Sequence, residues 1–292
     1  MIATTESYES PAAGLRLCRH LFRPDGAEAP KGRVILLEGL GDHIGCHKVA
    51  AELFCARGFV CGGLDWPGHG LSEGKRGHIA GVSLAGRLIV ETVAWLDEMA
   101  ECDGRRILYA HSTGAFFALH HLGGRETRQG TVADPTRFDR VWLSSPLIRP
   151  EFGQPSLLVW AAPWLARMAP TLILDSKVRP ERCRHIDPGA PPDPEEALCH
   201  HWVSAGLGAD LLGHASATPR TAFALRDPMS VLLTQGAEDP ICPPSFSKAF
   251  FDTIPTSRKT YALLPGTRHE ALREPDNSPV RDAANRWLDE GD

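Results

Sequence analysis

The sequence predicts an α/β protein built on a mostly parallel sheet with helices on both faces. Apolar runs rich in Val, Ile and Leu stand at 33–37, 59–64, 106–109, 140–143, 230–234 and 260–264. They are continuous rather than alternating, the pattern of strands buried on both faces. Segments with helical spacing lie between most of them, at 48–57, 83–99, 113–122, 244–253 and 279–289. At 292 residues the chain can also bury a sizeable core without a disulfide or metal staple. An earlier strand candidate, 15–22, is expected to pair at one edge.

The alternation breaks between about 147 and 226, where the chain is first Pro-rich and apolar, then charged, then mixed around His200, His201 and Trp202. An insertion that leaves one strand and returns to the same sheet reads as a cap over the strands' carboxyl ends, the side on which open α/β sheets bind ligands. The expected organisation is a core in two parts, 1–146 and 227–292, with a cap insertion at 147–226.

Composition excludes several classes. With 31 Lys+Arg against 36 Asp+Glu the net charge is -5, which fits neither a basic nucleic-acid binder nor a polybasic membrane patch. The 8 cysteines contain no C-x-x-C pair and read as small buried hydrophobes of a reducing compartment. The first 14 residues hold no Lys or Arg and no apolar run of signal-peptide length. The greasiest stretch, 157–168, is broken by Pro163 and Arg167 and is too short to span a bilayer. A soluble, cytoplasmic protein without stable membrane insertion is expected.

The chemistry centres on Tyr109-Ala110-His111-Ser112-Thr113-Gly114, where a predicted strand passes into a predicted helix. A sharp turn between small residues would hold Ser112 strained with its hydroxyl exposed, as in the G-x-S-x-G nucleophile elbow, here with Ala110 for the first Gly. A serine needs a base. In the chain order Ser, acid, His, Asp239 follows the strand at 230–234 and His269 follows the strand at 260–264. Taken singly, Asp239 is an ordinary turn residue and His269 a loop histidine; their joint order supports a triad, with Glu238 as the rival acid. The backbone N–H groups of Leu40, in the loop after 33–37, and of Thr113 are expected to form the oxyanion hole. His111 reads as a supporting residue. Histidine and cysteine spacings give no structural-zinc pattern, so no metal is expected.

Three further blocks narrow the reading: Gly39-Leu40-Gly41-Asp42-His43, Asp65-Trp66-Pro67-Gly68-His69-Gly70-Leu71-Ser72-Glu73-Gly74 and Gly236-Ala237-Glu238-Asp239-Pro240. Together with 110–114 and 266–270, they resemble the monoacylglycerol lipase/lysophospholipase branch of the α/β-hydrolases, over about 14–287 and least in the cap. The resemblance implies the α/β-hydrolase fold with an inserted helical cap. It further implies Ser112, Asp239 and His269 as catalytic residues, Leu40 and Thr113 as oxyanion donors, and cofactor-free hydrolysis of carboxylic esters of lipid-like alcohols.

Two departures stand out. Where the family has His-Gly this chain has Glu38-Gly39, and a carboxylate aimed at the oxyanion would oppose catalysis. Glu38 is therefore expected to point away, be protonated, or pair with Arg76 or His43. The other departure is Ala110. In the cap, Trp160, Trp164 and Trp202 are candidate substrate contacts, and a small-molecule ester with an apolar acyl chain is the expected partner, with transient lipid contact. The alternatives are cleavage of a thioester, amide or lactone on the same scaffold, and a non-catalytic ligand-binding protein.

Overall fold

The six apolar runs form the parallel part of one eight-stranded sheet. A computed structural model describes residues 1–26, 29–124, 137–187, 189, 191 and 193–290. The elements run β1 (Ile2–Ser10), β2 (Leu15–Arg23), β3 (Gly32–Leu37), α1 (Lys48–Cys55), β4 (Phe59–Leu64), α2 (Gly81–Ala100), β5 (Arg105–His111), α3 (Ser112–Gly123) and β6 (Arg140–Ser144). After these come α4 (Ser156–Met168), β7 (Ile173–Asp175), α5 (Pro180–Cys183), β8 (Trp202–Ser204), α6 (Ala205–His214) and α7 (Thr218–Thr221). The chain closes with β9 (Ser230–Gly236), α8 (Pro244–Thr253), β10 (Lys259–Leu264) and α9 (Ser278–Asp289). Sheet order is β1-β2-β4-β3-β5-β6-β9-β10. From β4 to β10 every pairing is parallel, whereas β2 runs antiparallel to both β4 and β1.

Because successive strand residues face opposite sides, each continuous apolar run feeds two cores. Ile35, Leu37, Leu108 and Ala110 join Leu88, Phe116 and Phe117 on one face. Val34, Leu36, Ile107 and Tyr109 join Phe54 and Trp287 on the other. One expectation needs correcting: β2 is not an edge strand, since β1 lies outside it. Most of β1 is exposed, so its sequence carries no apolar run to betray it.

Between β6 and β9 the chain leaves the sheet, forms a small β7–β8 ladder of its own and returns. Backbone bonds fasten this segment to the sheet's loops: His200 N–H donates to Gly41 O at 2.8 Å, Ser204 N–H to Gly77 O at 2.8 Å, and Glu270 N–H to Cys183 O at 2.7 Å.

The contact between α3 and the end of β3 is equally close. A methyl on Gly114 would run into the Glu38 carbonyl oxygen and lie 2.9 Å from that of Leu37, backbone atoms that cannot swing aside. Gly114→Ala would gain up to about 1 kcal/mol of helix propensity. Overpacking of this kind costs about 1–3 kcal/mol. A net loss of stability is expected, read as a lower urea midpoint.

Candidate active site

Ser112 is the first residue of α3 and sits at φ 51, the left-handed region that costs a side-chain-bearing residue on the order of 1–3 kcal/mol. The sharp turn predicted from the small residues is therefore present. Ala110 does not disturb it: its side chain is fully buried within the sheet's core. Gly39 packs against the serine, so close that a methyl there would lie 3.2 Å from Ser112 Cβ and 3.2 Å from His111 Cδ2.

The turn aims Ser112 at His269, which lies in the loop after β10; Ser112 Oγ stands 2.9 Å from His269 Nε2. His269 Nδ1 lies 2.7 Å from Asp239 Oδ2, in the loop after β9. With a carboxylate at Nδ1, the neutral ring carries its proton there and leaves Nε2 free to accept one from the hydroxyl. Burial works against charging His269, but the Asp239 carboxylate outweighs it and raises the pKa above the usual histidine value. Asp239 is held on both oxygens: Oδ1 accepts from the N–H groups of Ile241 at 2.8 Å and Cys242 at 2.9 Å, and Oδ2 also accepts from Gln235 Nε2 at 2.9 Å. Glu238, the rival acid, is more than half exposed and lies 3.9 Å from His185. The geometry brings Asp239 and not Glu238 to the histidine.

Gly39, Leu40, Thr113, Ser112 and His269 line one cavity. Thr113 is in the first turn of α3, where backbone N–H groups have no intrahelical acceptor. Glu38, the departure in this loop, turns away beneath it. Its Oε1 accepts from Trp66 N–H at 2.7 Å, and the side chain is wholly buried. Burial, and next the charge of Asp65, push its pKa well above the carboxylate range, which favours its neutral form. Neither expected cation pairs with it: Arg76 donates to Gly70 O at 3.0 Å, and His43 Nε2 lies 2.9 Å from Glu195 O. His111 lies 4.9 Å, ring to ring, from His269, and burial drives its pKa well below the usual value, so it adds no charge beside the base.

The far wall of the cavity comes from the segment between β6 and β9, and here the tryptophan expectation is corrected. Leu158, Ala162 and Leu165 of α4 face the cavity, with Val203 and Leu211 opposite. Trp160 and Trp164 lie on the other side of α4, 70% and 66% exposed. At about 100° per residue, the 158/162/165 stripe and the 157/160/164/168 stripe must face apart. Trp202 and Val203 alternate along β8, so Val203 faces the cavity while Trp202 packs tilted against His201, with ring centroids 4.1 Å apart.

A profile of the family described as "Serine aminopeptidase, S33" matches residues 28–276. The chain belongs to this α/β-hydrolase family. The chain is 28% identical over 293 residues to the monoacylglycerol lipase of Mycolicibacterium smegmatis, with 99% of each chain covered. It is 25% identical to the phospholipase YtpA of Bacillus subtilis, over 90% of this chain and 97% of that one. Among solved structures, the monoacylglycerol lipase of Paleococcus ferrophilus superposes with a TM-score of 0.76 at 28% identity, covering 93% of this chain and 98% of that one. The sheet and its flanking helices are the α/β-hydrolase fold.

The spacing of the hydrolase's residues did not point to Gln235 or to the donors at 241 and 242, because a strand-end glutamine and two backbone N–H groups carry no motif. Nor did it show the donor clusters found among the described residues, each with atoms within 4.8 Å of one another: His43, Cys46 and Cys199; Cys18, His20 and Asp65; and Asp239, Cys242 and His269. Each cluster joins one local pair (His43–Cys46, Cys18–His20 or Asp239–Cys242) to a residue from a distant stretch of chain.

Glu38 yields a test. Between the ordinary glutamate pKa of about 4.3 and its raised folded value, the folded state binds the proton that the unfolded state has lost, so stability falls as pH rises. Glu38→Gln removes that slope. Its melting temperature relative to the parent is expected to rise as the pH climbs above about 4.3.

Proposed function

We propose that this hydrolase cleaves carboxylic esters of lipid-like alcohols, of the monoacylglycerol or lysophospholipid kind, by two-step acyl transfer. The observation that carries the reading is the chain from Ser112 Oγ through His269 to Asp239, at 2.9 and 2.7 Å, opening on the cavity. Ser112 attacks the ester carbonyl while His269 takes the hydroxyl proton and passes it to the leaving alcohol. Water, deprotonated by His269, then releases the acid. Asp239 fixes the ring and stabilises its charged form. The N–H groups of Leu40 and Thr113 hold the oxyanion, each such donor being worth on the order of 3 kcal/mol in serine hydrolases.

Residues 147–226 serve as the cap, with α4 supplying the acyl wall. The apolar lining at Leu158, Ala162 and Leu165 supports an acyl chain. The names of the relatives, lipases and a phospholipase, support a lipid substrate. Among the described residues no helix is long and apolar enough to cross a membrane. The outer stripe of α4, Leu157, Trp160, Trp164 and Met168 at 66–83% exposure, is proposed to rest transiently on lipid aggregates.

Hydrolysis of a p-nitrophenyl ester series from acetate to palmitate tests the reaction. Ser112→Ala is expected to lower kcat by at least about 10³-fold, and a retained rate would refute the mechanism. Since His269 must be neutral to accept a proton, the acid limb of kcat/KM is expected above the unperturbed histidine value of about 6.5.

The lipid contact has its own readout. Trp160→Ser with Trp164→Ser is expected to abolish co-sedimentation with phosphatidylcholine vesicles while leaving hydrolysis of a soluble butyrate ester within about twofold.

A further inference from the structure

We propose that Cys46 and Cys199 form a redox-active dithiol, a modification site at which a hydroperoxide closes a disulfide between the β6–β9 segment and the loop after β3. Their sulfurs stand 3.5 Å apart although the residues are 153 positions apart in sequence. Cys46 lies in the 3-10 turn Ile44–His47 that follows the Leu40 loop, and Cys199 directly follows the 3-10 turn Pro194–Leu198. Both are free thiols, Cys46 buried and Cys199 half-buried, which leaves Cys199 as the one open to a small oxidant.

The surroundings favour a thiolate at Cys199. The Cys46 thiol hydrogen-bonded to it, and the His43 ring beside it, bring its pKa down to about 6 against the effect of burial. His43 is buried, with Nε2 donating to the Glu195 carbonyl at 2.9 Å and Nδ1 accepting from the Gly45 N–H at 3.2 Å. Asp42 and Arg273 also face the group, with opposite signs. Elsewhere the environment differs: burial raises Cys18, Cys183 and Cys242. In the Cys55–Cys61 pair, at 4.0 Å, the hydrogen bond to Cys61 also lowers Cys55, but both thiols are buried, whereas Cys199 is half-buried.

The chemistry balances with one hydroperoxide. The Cys199 thiolate attacks the peroxide's outer oxygen, the O–O bond breaks, and the departing oxygen takes a proton to leave as an alcohol or water. The Cys46 thiol then loses its proton and attacks the Cys199 sulfenic sulfur. An S–S bond forms, the S–O bond breaks, and water leaves. Two thiols are oxidised by two electrons and the peroxide is reduced by two.

A metal would use the same sulfurs, but both His43 nitrogens are engaged: Nδ1 accepts from Gly45 N–H at 3.2 Å and Nε2 faces Glu195 O at 2.9 Å. Closure would add a covalent stitch where the segment already grips the loop through the His200–Gly41 backbone bond at 2.8 Å.

The test uses the full chain treated with graded hydrogen peroxide, then alkylated under denaturing conditions and mapped by mass spectrometry. The expected result is a mass loss of about 2 Da, reversed by dithiothreitol, in a peptide pair joining Cys46 to Cys199, at doses that leave Cys55 and Cys61 reduced. Cys46→Ser should leave a dimedone-reactive sulfenic acid on Cys199, and Cys199→Ser should leave Cys46 unoxidised at the same dose. Oxidation elsewhere with no 46–199 peptide would overturn the proposal. So would one equivalent of Zn²⁺ bound tightly enough to protect both thiols, which would make the site a metal site. The wild-type map decides even if a variant fails to fold, and it does not depend on any hydrolytic activity.

Discussion

The backbone at Ser112 is held at φ 51, and the rest of the site is arranged around keeping it there. A serine does not adopt this conformation unaided; the turn is fixed because β5 enters it from the middle of the parallel sheet and α3 leaves it packed against β3. Gly114 lets the helix approach the β3 carbonyls, and Gly39 lets the next loop lie against the serine. The close packing that enforces the strained turn therefore also sets Leu40 and Thr113 on the same cavity as the hydroxyl.

The second arm of the site is built from loops and held by polar stitches instead of packing. Arg184, in the β6–β9 segment, bonds Glu270 beside His269 and also Glu196, while Arg273 bonds Glu270 at 3.2 Å and Asp193 at 2.7 Å. Arg184 and Arg273 have side chains only 9% and 10% exposed. Burying such charges offsets much of their attraction, so the network adds little net stability, but losing one partner would leave a buried charge uncompensated. Its main effect is geometric. The segment and the histidine loop are locked to each other, and the cavity wall keeps its register with Ser112 and His269.

Much of this was legible in the sequence because the central strands are buried on both faces and carry continuous apolar runs. The runs predicted at 106–109 and 140–143 extend to Arg105–His111 and Arg140–Ser144, growing mostly at the polar ends where pairing continues after the apolar run stops. β1 was invisible, since a strand paired on one side and exposed along most of its length needs no apolar pattern. The approach of Ser112, Asp239 and His269 was legible from the elbow-like turn at Ser112 and from chain order, each residue following its own strand. The tryptophans misled because residue type outweighed helical phase. Large aromatics suggest a pocket, but the period of α4 turns them outward and gives the wall to smaller side chains at 158, 162 and 165.

Glu38 shows how the loop manages charge. Three acids converge beneath Leu40: Glu38, Asp42 and Asp65. Two unit charges 4 Å apart interact by about 4 kcal/mol at an effective dielectric near 20, comparable to the whole contribution of an oxyanion donor. The loop cannot therefore tolerate all three ionised and unpaired. Asp42 is paired with His47 at 2.8 Å, and Asp65 with His20 at 3.0 Å while also accepting from Ile44 and Leu71 N–H. Glu38 has no cation, is bonded to the Trp66 N–H, and has its pKa raised by burial and by Asp65. The histidine-to-glutamate departure thus brings a buried side chain whose charging folding opposes, and which is bonded to Trp66 outside the cavity lining.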